Sequence, residues 1–339
     1  MALITKHNDP FKLVDRTDEL LIIPNQWGLV NDIGLFKTKY VTGTTFYVDE
    51  HEQFNGLPVD LPRGAKPSAG KEDKRRRRYF ETPHFPLRQS IKPSDISQSS
   101  RNGDGIADSL DLARMEKMEY VRRSFAILNE VAKCQMLSTG DVYSPNGNVV
   151  LNVYTDFGVT RKDIDFTFGT GTTEILMKGE EAIAHTQDNI SNGGVMNGVI
   201  ALCHPTFFNR LITHQSVKTA YQFYNSAQEP LRQRLGGSNS MYRSFEHGGI
   251  TYIEYRGATN AGVPFIPAGE CRFVPTGTDF FKTYYTSADK FSHVNAPGLE
   301  AYYFERLDED DDEWSIVAET NFANLCLNPK IMIRGFSSN

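Results

Sequence analysis

Met118, Val121, Phe125, Leu128 and Ala132 recur at steps of three and four within Ala107 to Leu137, a stretch with neither proline nor glycine. That spacing puts all five on one face of an α-helix, and it leaves Glu119 and Arg123, four residues apart, to pair on another. Gly140 closes the run. At 1.5 Å rise per residue the helix is roughly 45 Å long, enough to cross a whole domain as a strut. Before it, GLVNDIGLFKTKYVTGTTFYVDE, starting at Gly28, is rich in β-branched and aromatic residues and broken at Gly43. This predicts two strands or one limb of a hairpin. Between Glu52 and Ser100 stand Pro58, Pro62, Pro67, Pro83, Pro86 and Pro93, and no helical period survives. A long segment of this kind is usually functional or mobile, and it reads as an extended hairpin-like excursion with YFETPHFPLRQSI as the returning strand.

After the long helix, DVYSPNGNVVLNVYTDFGV predicts strand, tight turn at Asn146-Gly147, strand. TEILMKGEEAIAHTQDNI reads as helix, NGVIALC as a buried strand and PTFFNRLI as a helix opened by proline. VKTAYQFYNSAQEPLRQRL reads as helical with a break near Pro230, and GITYIEYRG and GECRFVPTG read as strands. Residues 173–292 thus form a candidate α/β unit, and LEAYYFERL and NLCLNPKIMIRG supply closing strands beyond it.

Composition narrows the function. The chain has 339 residues, 39% hydrophobic and 12% aromatic, which is ample for a buried core. A net charge of -6 excludes a protein whose whole surface tracks a polyanion, so any basic function must be local. The first residues lack an apolar leader core, and no apolar run approaches the ~20 residues needed to cross a bilayer, so the expectation is a soluble, non-secreted chain without membrane contact. Cys134, Cys203, Cys271 and Cys326 are far apart in sequence with no CxxC pairing, which favours reduced, buried thiols over a disulfide framework or zinc site.

Candidate chemistry is sparse. HExxH, GxSxG, Walker and GxGxxG patterns are absent, GTGTT at 169–173 lacks a phosphate-reaching lysine, and the eight histidines are scattered. No catalytic, cofactor or metal residue is assigned. In SRNGDGIADSLD, the residues Asn102, Asp104, Asp108 and Asp111 imitate a calcium loop, but its first ligand position is Ser100, and acidic residues at the positive end of a helix need no metal. The cap is the favoured reading. Two charge runs stand out: KEDKRRRRYF, with Lys74, Arg75, Arg76, Arg77 and Arg78 at its centre, and Asp308, Glu309, Asp310, Asp311, Asp312 and Glu313 late in the chain. Arginines beside aromatics suit a single-stranded nucleic acid, and an α/β enzyme with a site hidden within 173–292 is a further alternative. A pair of opposite runs also suits register and partner selection between copies of one chain.

The order of parts, with GLVNDIGLF leading into YVTGTTFYVDE, the helix ending NEVAKCQMLSTGDVY, then FIPAGECRFVPTG and LCLNPKIMIRG, resembles the major capsid proteins of tailed bacteriophages with the HK97-type fold, in particular the lambda-like major head protein (capsid protein E) family. The resemblance implies an α+β fold: an N-terminal arm at 1–35, an E-loop hairpin at 36–100, a peripheral domain with the spine helix at 101–172, an axial α/β domain at 173–292, and a return to the peripheral domain at 293–339. It also implies a subunit that self-assembles through hexamers and pentamers into an icosahedral shell around packaged double-stranded DNA, in the virion, after assembly in the host cytoplasm. Implied partners are further copies, a decoration protein at three-fold positions, and scaffold and portal during assembly. The two charge runs are then candidate subunit-interface residues.

Overall fold

The computed structural model describes residues 14–15, 28–52, 74–94, 106–142, 151–190, 194–222, 242–257, 264–308 and 312–339. Helices and strands below are numbered in chain order. The short α1 (Leu29–Ile33) precedes α2 (Ile106–Thr139), which is helical without interruption over 34 residues. Of the periodic set, Met118, Val121, Phe125 and Ala132 are buried and Leu128 is partly so, while Glu119 and Arg123 pair at 2.7 Å on the exposed side. The helix stops at Gly140, whose φ of +81° suits glycine and whose missing Cβ leaves room for the Tyr154 ring.

Two six-stranded sheets carry the fold. The first runs β1 (Val14–Asp15), β12 (Tyr302–Leu307), β13 (Trp314–Cys326), β11 (Phe281–Tyr285), β2 (Lys37–Tyr40), and β5 (His84–Ile91) also pairs with β13. The second runs β6 (Lys162–Asp165), β14 (Ile333–Phe336), β10 (Glu270–Thr276), β7 (Gly198–Cys203), β9 (Ile250–Glu254), β8 (Ser244–His247). Against it α4 (Ile175–Asn189), α5 (Pro205–Thr213) and α6 (Gln215–Gln222) bury Ile175, Ala182, Phe207, Phe208, Leu211 and Val217. Apart from both sheets stands a two-stranded ribbon, β3 (Thr45–Glu52) with β4 (Lys74–Glu81).

The spine helix ties these layers together. Its first half packs Met118, Val121 and Phe125 on Tyr303, Ile316 and Ala318 of the first sheet, and buried Arg114 donates to buried Glu305 at 3.0 Å. Its second half joins a core shared with both sheets, where Met136 and Leu137 meet Leu202 and Val274 from one and Tyr284 and Leu325 from the other.

Several segments differ from the pattern reading. LVNDI is the helix α1 rather than strand, because a carboxylate from far along the chain completes it: Glu130 of α2 accepts the Val30 and Asn31 N–H groups at 2.8 and 3.0 Å, and the Tyr255 hydroxyl at 2.6 Å. The segment expected to form the second strand after Asn146-Gly147 instead holds the helix α3 (Val153–Phe157), capped by the Asn152 side chain, which accepts from Tyr154 and Thr155. YFETPHFPLRQSI is two strands, parted at Thr82-Pro83, of which the first pairs in the ribbon and the second in the first sheet. In the C-terminal stretch expected to return to the first unit, β12 and β13 lie in the first sheet, while β14 hydrogen-bonds into the second between β10 and β6. Conversely β11, within 173–292, belongs to the first sheet. The turn at Asn146-Gly147 and the break near Pro230 lie outside the described residues, as does most of the expected N-terminal arm.

Candidate assembly surface

The basic run forms β4, and its partner strand is acidic. In register, Asp49 faces Arg77, Glu50 faces Arg76, His51 faces Arg75 and Glu52 faces Lys74, with Val48 opposite Arg78. Strand alternation then sorts the ribbon into two faces. On one, Phe46, Val48 and Phe80 are buried, and Phe46 stacks on Tyr284 of the first sheet with ring centroids 4.2 Å apart. Arg78 shares this inward face, lying 5.0 Å over the Phe157 ring and donating to the Asp156 carbonyl. On the other, Tyr47 and Tyr79 stand 53% and 70% exposed. There Arg77 grips Asp49 through two hydrogen bonds of 2.7 and 3.0 Å and lies 4.2 Å over the Tyr47 ring. That bidentate contact raises the Arg77 pKa further, so the charge is permanent. Arg76 is exposed. The ribbon base is therefore anchored by aromatic packing, and its outer face presents Tyr47, Tyr79 and the Asp49-paired Arg77.

The acidic run caps the β12–β13 hairpin, where Asp308 N–H donates to the Glu313 carbonyl at 3.0 Å. Glu313 accepts from Arg88 of β5 at 3.2 Å, and Asp312 is exposed; Glu309, Asp310 and Asp311 lie outside the described residues. Beside it Arg88, Lys92 and Lys117 line a shallow open depression. Within one chain each run thus has its own partner, Asp49 for Arg77 and Arg88 for Glu313. Sequence reasoning missed Asp49, Tyr47, Tyr79 and Arg88. The signal for the first three was available, since FYVDEHE read forwards and KRRRRYF read backwards match aromatic to aromatic and acid to base.

Other expectations find their places. The calcium-like stretch is described only from Ile106 onward, and Asp111 pairs with Arg114 at 2.9 Å. Among the described residues no cluster of His, Cys, Asp or Glu is arranged to hold a metal, and no helix is long and apolar enough to cross a membrane. All four cysteines are buried thiols.

Comparison with known proteins supplies the rest. The family described as "Phage major capsid protein E" matches residues 14–337. The chain is 39% identical to the major capsid protein of Pseudomonas phage KPP10, with 99% of each chain covered. It is 25% identical to that of Salmonella phage Felix O1, covering 98% of this chain and 97% of the relative. Among solved structures it superposes on the capsid of Ralstonia phage GP4 with a TM-score of 0.53 at 11% identity, over 94% of this chain and 93% of that one, a likeness of fold alone. The fold is of the HK97 type, with mixed helices and sheets. With a ribbon displayed outside both sheets and a match along nearly its whole length, this chain belongs to the phage major capsid protein E family.

Proposed function

We propose that the chain builds the phage head by self-assembly through hexamers and pentamers, enclosing packaged double-stranded DNA, and that the β3–β4 ribbon is the arm by which one copy engages the next. The observation that supports this reading most is the ribbon itself: it joins neither sheet, buries one face on its own subunit, and leaves Tyr47, Tyr79, Arg76 and Arg77 exposed. A two-stranded ribbon is marginal in water, so its exposed aromatic face gains by a second surface. Assembly in the host cytoplasm with scaffold and portal, and a decoration protein at three-fold positions, belong to the same reading. Negative-stain microscopy of the expressed chain, alone and with a scaffold, tests it: closed shells are expected, and only monomers at every salt and concentration would overturn it.

Lys74 to Arg78 then meet the acidic turn Asp308 to Glu313 of an adjacent copy. The Arg77–Asp49 pair favours this arrangement by holding β4 in register while Arg76 stays exposed. The combined change Glu309→Lys, Asp310→Lys, Asp311→Lys and Asp312→Lys spares the Glu313–Arg88 contact. It is expected to abolish shells at low ionic strength while leaving the melting temperature of the unassembled subunit unchanged, and normal particles would reject the pairing. The capsid relatives along nearly the whole chain leave the nucleic-acid reading of this run without support.

A further inference from the structure

Cys203, the last residue of β7, lies directly opposite Cys271 near the start of β10. The neighbouring pair is the hydrogen-bonded one, since His204 N–H donates to the Glu270 carbonyl at 3.0 Å. The Cys203 carbonyl turns the other way and accepts from Tyr255 N–H at 2.9 Å. Cys203 and Cys271 therefore form a non-hydrogen-bonded pair, the class in which antiparallel strands bring Cα atoms to about 4.5 Å and side chains closest together. That separation lies inside the span a disulfide accepts.

The side chains agree with the backbone. Val199, Ala201 and Cys203 of β7 and Cys271 and Phe273 of β10 all enter one core, and both cysteines are 0% exposed. The Cys203 thiol lies close enough to that of Cys271 to interact with it, and it donates to the Ala201 carbonyl at 3.4 Å. Across from Cys271 on β14 stands Gly335, where a Cβ would lie 2.5 Å from the Cys271 sulfur, so glycine there leaves that sulfur room to turn. Cys134 on α2 and Cys326, which faces Phe281, belong to a different core and serve as internal controls.

We propose that Cys203 and Cys271 are a redox pair that forms a reversible cross-strand disulfide, fastening β7 to β10, when the subunit passes from a reducing to an oxidising medium. Two S–H bonds break and one S–S bond forms; the two electrons and two protons pass to a small disulfide of the glutathione type, which leaves as two thiols. In a reducing compartment the pair persists as the dithiol seen here. Burial raises the Cys203 pKa well above its ordinary value and keeps the thiolate scarce, so exchange proceeds through transient opening of the sheet and is slow.

Refolding the unassembled chain in oxidised glutathione, against dithiothreitol as control, tests this. After denaturation the control should present all four thiols and the oxidised sample two, with a mass lower by about 2 Da and a peptide joining Cys203 to Cys271. The oxidised form should melt several degrees higher, and Cys203→Ala or Cys271→Ala should each abolish the mass change. Four free thiols in the oxidised, refolded chain, linkage through Cys134 or Cys326, or stable single-site glutathione adducts would overturn the proposal. Because the readout is the unassembled chain, failure of shell formation leaves the result unaffected.

Discussion

Lys133 carries an ammonium group into a site where it is only 8% exposed. It donates to Asn31 Oδ1 at 2.6 Å and lies 5.3 Å over the Phe36 ring, while burial lowers its pKa to about 8 against the opposing pull of Glu130, Glu300 and Cys134. Between pH 8 and its ordinary 10.5 the unfolded chain holds this proton and the folded chain does not, so stability rises with pH across that window. Below it both states are charged and the folded state bears the full desolvation cost, about 3 kcal/mol for such a depression. Lys133→Met should therefore stabilise the subunit at pH 7 by about 1–2 kcal/mol after loss of the Asn31 contact, and flatten its denaturation midpoint between pH 8 and 10. Glu130, one turn away, points in the opposite direction energetically. Its two oxygens serve three donors, so Glu130→Gln should destabilise by about 2–4 kcal/mol and raise hydrogen exchange at Val30 and Asn31 in particular.

The ribbon's two faces predict two kinds of variant. Phe46→Ala removes the ring that stacks on Tyr284 and touches Phe80, and should expose residues 45–81 to limited proteolysis while costing about 3 kcal/mol in the ribbon base. Tyr79→Ser, on the uncovered face, should leave stability within about 0.5 kcal/mol and reduce particle yield. Legibility followed the range of the interactions that decide each element. The spine helix was plain because its period, its ion pair and its closing glycine are all local. α1 was not, because five residues among strand formers become helical only when Glu130 arrives from 100 positions away. α3 carried a local signal, an asparagine cap ahead of VYTDF, that the preceding Asn-Gly obscured. β6, β8 and β11 are only four or five residues long, and β6 and β11 each find a parallel partner distant in sequence, so short-range pattern held little trace of them. The charge runs were conspicuous from the start, yet their immediate partners depended on strand register.

At the scale of the molecule, one apolar core contains residues of both sheets, of the spine helix and of the ribbon base. Among the described residues, that core bridges the two sheets. Calorimetry of the unassembled subunit should therefore give one transition with equal calorimetric and van 't Hoff enthalpies, where two separable domains would give two. The strand order has a consequence for synthesis. β13 is the strand to which β5, β11 and β12 all bond, and β14 links β6 to β10, so each sheet receives an interior strand from the segment beginning at Trp314. A ribosome that stalls or terminates before that point releases a chain with neither sheet complete and with the support beneath Tyr284 missing. A shell grown from many identical parts is vulnerable to defective copies that still dock. Chains truncated before Trp314 are therefore expected to lack both finished sheets and to be absent from purified particles.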